Sequence, residues 1–137
     1  MLNVLVLGSA AGGGFPQWNC NCGLCQRARS ADPAVRPRTQ SSLAVSSGDG
    51  AWFLLNASPD LRKQIDDSPE LHPSDGRRHS PITGAVLTNG DVDHIAGLLN
   101  LRESQPLALY ATERVHSVLR ANSVYNVLNP KYVDRRS

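Results

Sequence analysis

Ile82-Thr83-Gly84-Ala85-Val86-Leu87-Thr88-Asn89-Gly90-Asp91-Val92-Asp93-His94 is the stretch on which the fold turns. Its first seven residues form an apolar, β-favouring run, and the polar residues after Leu87 stop it. Beyond His94, Ile95, Leu98, Leu99 and Leu101 recur at helical spacing. A buried strand thus hands over to a helix through an acidic turn, the join expected of a layered α/β or α+β chain.

The same alternation extends in both directions. Downstream, Leu107 to Tyr110 reads as another strand, and Thr112 followed by Glu113 opens a helix with Val115, Val118 and Leu119 on one face; residues 122–137 are weakly patterned. Upstream, the runs at 41–46 and 51–55 are separated by Ser47-Gly48-Asp49-Gly50, which predicts a hairpin. Ser58-Pro59-Asp60 offers a helix cap with proline at the first position, and Leu61 and Ile65 lie four apart. Leu2 to Leu7 reads as a buried strand that ends in the glycine-rich segment Gly8 to Gly14. Between Phe15 and Thr39 no period is sustained and three prolines intervene, which predicts a long loop with a short helical turn near Cys25 to Ser30.

Composition narrows the function classes. With 137 residues the chain is one domain or part of one, and 40% hydrophobic residues are ordinary for a globular protein. A net charge of +2 with 19% charged residues is too balanced for an electrostatic nucleic-acid binder. No apolar stretch approaches bilayer-spanning length, and Met1-Leu2-Asn3 followed by the glycine run lacks the basic and apolar regions of a secretory signal, so a cytoplasmic location is expected. Trp18 and Trp52 read as packing residues.

Two constellations carry chemistry. The only three cysteines, Cys20, Cys22 and Cys25, are clustered and odd in number, which favours a metal over a disulfide framework. Such spacing lets one tight loop wrap three thiolates around a tetrahedral zinc, whose fourth ligand is left open among His72, His79, His116 and a residue not in this chain. The second is Asn89-x-Asp91-x-Asp93-His94, where carboxylates and an imidazole can converge on a borderline metal such as Zn²⁺, Mn²⁺ or Fe²⁺. The same residues suit a plain acidic helix start. Gly12 to Gly14 match neither a dinucleotide nor a Walker pattern and are read as turn geometry able to line a site.

The run from Leu7 to Cys22, with Arg38-Thr39-Gln40-Ser41-Ser42, Asn56-Ala57-Ser58-Pro59-Asp60 and Asp93-His94, resembles the PqqB family of pyrroloquinoline quinone (PQQ) biosynthesis, in the metallo-β-lactamase superfamily. That resemblance implies an αββα sandwich, of which residues 1–137 would be a partial domain, its N-terminal half, with a metal-binding loop at 8–39. It implies a structural zinc on Cys20, Cys22 and Cys25. The superfamily's metal signature HxHxDH stands here as Asn89-x-Asp91-x-Asp93-His94, with both leading histidines replaced. Asp93 and His94 remain, and with a histidine from elsewhere they would make the two-histidine, one-carboxylate face suited to Fe²⁺. The expected activity is iron-dependent hydroxylation of the tyrosine ring of a crosslinked Glu–Tyr precursor, with Asp93, His94, Asp91 and Asn89 as the catalytic set. The alternatives are a carrier that helps move PQQ or its precursor to the periplasm, and a metal-dependent hydrolase. Partners implied are the precursor peptide or PQQ, together with a missing C-terminal half or a second copy; an inactive short form is one expectation.

Overall fold

The computed structural model describes residues 1–137. Six strands form one mixed sheet in sequence order: β1 (Asn3–Gly8), β2 (Ser42–Ser46), β3 (Trp52–Leu55), β4 (Ile82–Leu87), β5 (Leu107–Ala111) and β6 (Val133–Arg136). The first three pair antiparallel, and β3 to β6 pair parallel. Parallel neighbours need a crossover. Those crossovers carry helices α2 (Leu61–Asp66), α3 (Val92–Ile95) and α4 (Glu113–Ala121), while α1 (Gly23–Arg29) lies in the long segment between β1 and β2.

The register places Leu5, Ala44, Leu54, Ala85 and Leu109 in one row across the sheet. These face the helices, and with Leu61, Leu98, Val115 and Leu119 they form one continuous core. Neighbouring residues point the other way because strand side chains alternate. The resulting row is Val6, Leu43, Leu55, Val86 and Tyr110, in which Val6 is exposed and the other four are half-buried. At its far edge Arg136 bonds Asp134 at 2.7 Å and the Tyr110 hydroxyl at 2.8 Å. The Phe53 ring lies over Gly84, where a Cβ would stand 2.3 Å from its nearest carbon.

Four sequence expectations change. The first strand is an edge strand and not a buried one: Val4 and Val6 are 52% and 69% exposed. The helix expected after His94 is a single α turn followed by a 3-10 segment, Ala96–Leu101. Here Gly97 lies so close to β3's exit loop that a Cβ would meet the Ser58 carbonyl oxygen at 2.2 Å. Helix α2 begins after Asp60, with no side-chain cap, because the Ser58 hydroxyl is spent on Gln64 Oε1 at 3.0 Å. The weakly patterned tail contains β6, whose Asp-Arg-Arg composition hides a four-residue strand. The hairpin, the short helix in the cysteine segment and the Thr112 cap, with Oγ1 accepting from Val115 N, all stand as read.

Candidate metal centres

The cysteine centre is assembled by local backbone geometry. Cys22 is the N-cap of α1, and its sulfur accepts the Cys25 N–H at 3.5 Å. One turn later Cys25 points inward and is buried, Cys20 is half-buried, and Cys22 is exposed. The three sulfurs lie within 4.8 Å of one another. Two thiolates on one tetrahedral zinc are separated by roughly 3.8 Å, so the donor set fits that ion with small adjustments. The Cys25 backbone N–H, aided by Cys20 and Cys25, pulls the Cys22 thiol down from its ordinary value to about 7. For Cys25 the Gln17 backbone favours the thiolate, but burial and the adjacent Cys22 and Cys20 thiols outweigh it and raise the pKa.

None of the three histidines considered for the fourth position joins this group. His72 Nε2 lies 3.2 Å from the Asp66 carbonyl, His79 Nδ1 accepts the Ser74 N–H, and His116 is buried with Nε2 donating to the Arg136 carbonyl at 2.9 Å. What the sequence reading missed is Arg29. Its guanidinium donates to the Cys20 and Gln17 carbonyls at 2.6 and 2.5 Å, cross-bracing the loop from the far end of α1. A basic residue in a last helical turn is common, so nothing in the sequence marked it out.

The second centre sits where β4 ends. Asp91 caps α3, and Asp91, Asp93 and His94 each offer a ligand atom, all within 4.8 Å of one another. Asn89 instead directs its Oδ1 to the Asp91 N–H at 2.9 Å, a turn-forming role. His94 Nδ1 lies 2.7 Å from Asp93 Oδ1. At that separation the two atoms can sit as neighbouring ligands of a single ion. The donors present therefore fit a divalent ion that takes mixed nitrogen and oxygen ligands.

Neighbouring loops lock this turn in place. Ala57 donates its N–H to the His94 carbonyl at 2.7 Å and accepts the Gly97 N–H at 2.9 Å. Asn56, at a positive φ of 63°, accepts the Thr88 N–H through Oδ1 at 2.9 Å. The glycine loop also reaches the centre: a Cβ on Gly12 would stand 3.1 Å from Asp93 Oδ2. Asp60 holds that loop's other side by accepting the Gln40 N–H at 2.9 Å. The glycines expected as turn geometry thus also line the site. Trp18, expected to pack, is 82% exposed, whereas Trp52 is buried.

No helix is long and apolar enough to cross a membrane. The sequence model of the Beta-lactamase superfamily domain matches residues 51–137. Coenzyme PQQ synthesis protein B of Methylobacterium radiotolerans is 56% identical over 135 residues, which cover 98% of this chain and 45% of that protein. The protein of the same name from Rhodopseudomonas palustris is 58% identical over 137 residues, covering 99% of this chain and 44% of its own. Among solved structures, Zn(2+)-bound PqqB from Methylobacterium extorquens superposes with a TM-score of 0.95 at 56% identity, over 99% of this chain and 48% of that one. A diphosphatase from the PhnP family superposes at 0.75 with 28% identity, over 99% and 50%. The chain spans about half the length of the curated relatives it matches. With this fold, these two donor clusters and these relatives, the chain belongs to the metallo-β-lactamase superfamily and, within it, matches the family of coenzyme PQQ synthesis protein B.

Proposed function

We propose that this chain carries the metal-binding part of a cytoplasmic PQQ biosynthesis protein, with a structural zinc on Cys20, Cys22 and Cys25 and a second site at Asp93 and His94 for iron. Its reaction is hydroxylation of the tyrosine ring of a crosslinked Glu–Tyr precursor. One oxygen atom of O₂ enters a ring C–H bond, and the other becomes water with two electrons and two protons from an external reductant. Iron, when bound, supplies the oxygen-activating redox chemistry.

The observation that carries this reading is the convergence of Asp91, Asp93 and His94 beside Gly12 in a chain more than half identical to named PQQ synthesis proteins. Asp93 Oδ1 and His94 Nδ1, 2.7 Å apart, offer adjacent oxygen and nitrogen donors to one ion, and Asp91 offers a further oxygen. Gly12 lets the glycine loop pack closely against Asp93, since a Cβ there would crowd Oδ2. The second imidazole of the facial triad comes from outside the Asp91-Asp93-His94 group. Asn89 and Asp91 stand where a two-metal hydrolase places histidines, which weighs against hydrolysis.

The test is incubation of iron-loaded protein with the crosslinked precursor, a reductant and ¹⁸O₂. Mass spectrometry should show one labelled oxygen in the tyrosine ring, and none with His94→Ala. Tight stoichiometric binding of precursor or quinone without oxygen insertion would instead establish the carrier, and phosphodiester cleavage the hydrolase.

A further inference from the structure

A pocket of about 380 Å³ opens at the opposite end of the sheet from the metal centres. Its floor is apolar and drawn from four separate elements: Ile65 at the end of α2, Ile82 starting β4, Leu101 ending the 3-10 segment and Leu107 starting β5. Ile82 and Leu87 mark the ends of β4, about 17 Å apart, and the Asn89 turn lies beyond Leu87; the pocket and the second metal centre share no residue.

The rim is cationic. Arg77, Arg78 and His79 line it, with Gln105 beside them. Five other cations pair with acids: Arg27 with Asp32, Lys63 with Asp67, Arg102 with Glu103, Arg120 with Glu113 and Arg136 with Asp134. Arg77 and Arg78 make no ion pair, as is true of seven of the other twelve lysines and arginines; what sets them apart is their place together on the rim of an apolar-floored pocket. His79 Nδ1 accepts the Ser74 N–H at 3.2 Å, which closes the 74–79 loop on itself and places the imidazole proton on Nε2, free to donate. Leu71 is buried and anchors the start of this segment, and the Pro81 carbonyl accepts the Trp52 N–H at 2.9 Å at its end. Glu103 is the one acid on the rim; it disfavours a second anionic group there.

We propose that this pocket binds a small organic carboxylate: an anionic head held by Arg77, Arg78 and His79, and an apolar body lying on Ile65, Ile82, Leu101 and Leu107. The volume lies within the range of small-ligand pockets, and an inorganic anion alone would leave the apolar floor wet. Guanidinium groups are the side chains best matched to a carboxylate in two-point geometry.

The test uses 4-phenylbutyrate as probe on the zinc-loaded 137-residue chain, followed by NMR shifts of the Ile82, Leu101 and Leu107 methyls. Saturable binding tighter than about 10 mM is expected. The double variant Arg77→Gln, Arg78→Gln should weaken it about tenfold or more, as should replacing the probe by the neutral 4-phenylbutanol. Both arginines are exposed, so the fold should survive their replacement. His94→Ala should leave probe binding unchanged, which separates this pocket from the metal centre. Absence of saturable binding would overturn the proposal, as would equal binding of the alcohol or of inorganic phosphate.

Discussion

Ser58 and Gln64 show how much of this site rests on single buried hydrogen bonds. Ser58 is fully buried, and its hydroxyl donates to Gln64 Oε1. Gln64 Nε2 in turn donates to the Gln40 carbonyl at 2.8 Å and to Thr39 Oγ1 at 3.0 Å, while Thr39 donates to the Leu7 carbonyl. One network therefore ties the end of β1 to the loop that supports the second metal centre. Ser58→Ala leaves Gln64 Oε1 unpaired in the interior and should cost about 1–3 kcal/mol, read as a lower midpoint in urea unfolding. A midpoint at the wild-type value would show that the network carries no stability. At the cysteine centre, Cys22→Ser removes one thiolate while its hydroxyl can still accept the Cys25 N–H at the α1 cap. Zinc content should fall, and the 15–39 segment should become the first site of limited proteolysis; unchanged zinc would refute the structural assignment.

At the level of elements, β4 and the turn that follows decide the site, and most of that was legible. A run of apolar residues cut off by Asn89-Gly90-Asp91 marks strand, stop and acidic helix start by local chemistry alone. Elements defined by distant contacts were not legible. The helix expected over 95–101 is broken into 3-10 geometry because Gly97 fits beneath the Ala57 and Ser58 backbone, a neighbour nearly forty residues away in sequence that periodicity cannot reveal. Strand β6 is set by pairing with β5, not by composition. The same holds for the centres: Cys20, Cys22 and Cys25 cluster through local spacing and could be read directly. The approach of Gly12 to Asp93 joins two segments eighty residues apart and needed the fold. Within β5, between β4 and β6, Leu109 is fully buried. Leu109→Ala should destabilise the chain by roughly 2–5 kcal/mol by thermal or urea unfolding, and a loss under 1 kcal/mol would show that this sheet face is not the stabilising core.

Across the whole molecule, the two faces of the sheet differ. One is covered by helices; on the other Val4 and Val6 are exposed, and Leu43, Val45, Leu55 and Val86 are half-buried. Exposed contiguous apolar surface of this kind drives association. The 137-residue chain by itself should therefore sediment as an oligomer, and Val6→Lys with Val45→Glu should shift it toward monomer; a monomeric parent chain would show that this face is soluble on its own. In the αββα sandwich expected from the resemblance, a second sheet would lie on this face.

Two separate metal centres are proposed on this chain, one of thiolates at Cys20, Cys22 and Cys25 and one of carboxylate and imidazole at Asp93 and His94. The direct measurement is elemental analysis of the purified chain after anaerobic loading with iron, made on the parent and on His94→Ala. The expected result is one zinc and one iron per parent chain, with the variant keeping its zinc and losing the iron. Zinc alone in the parent, or loss of both metals in the variant, would contradict it.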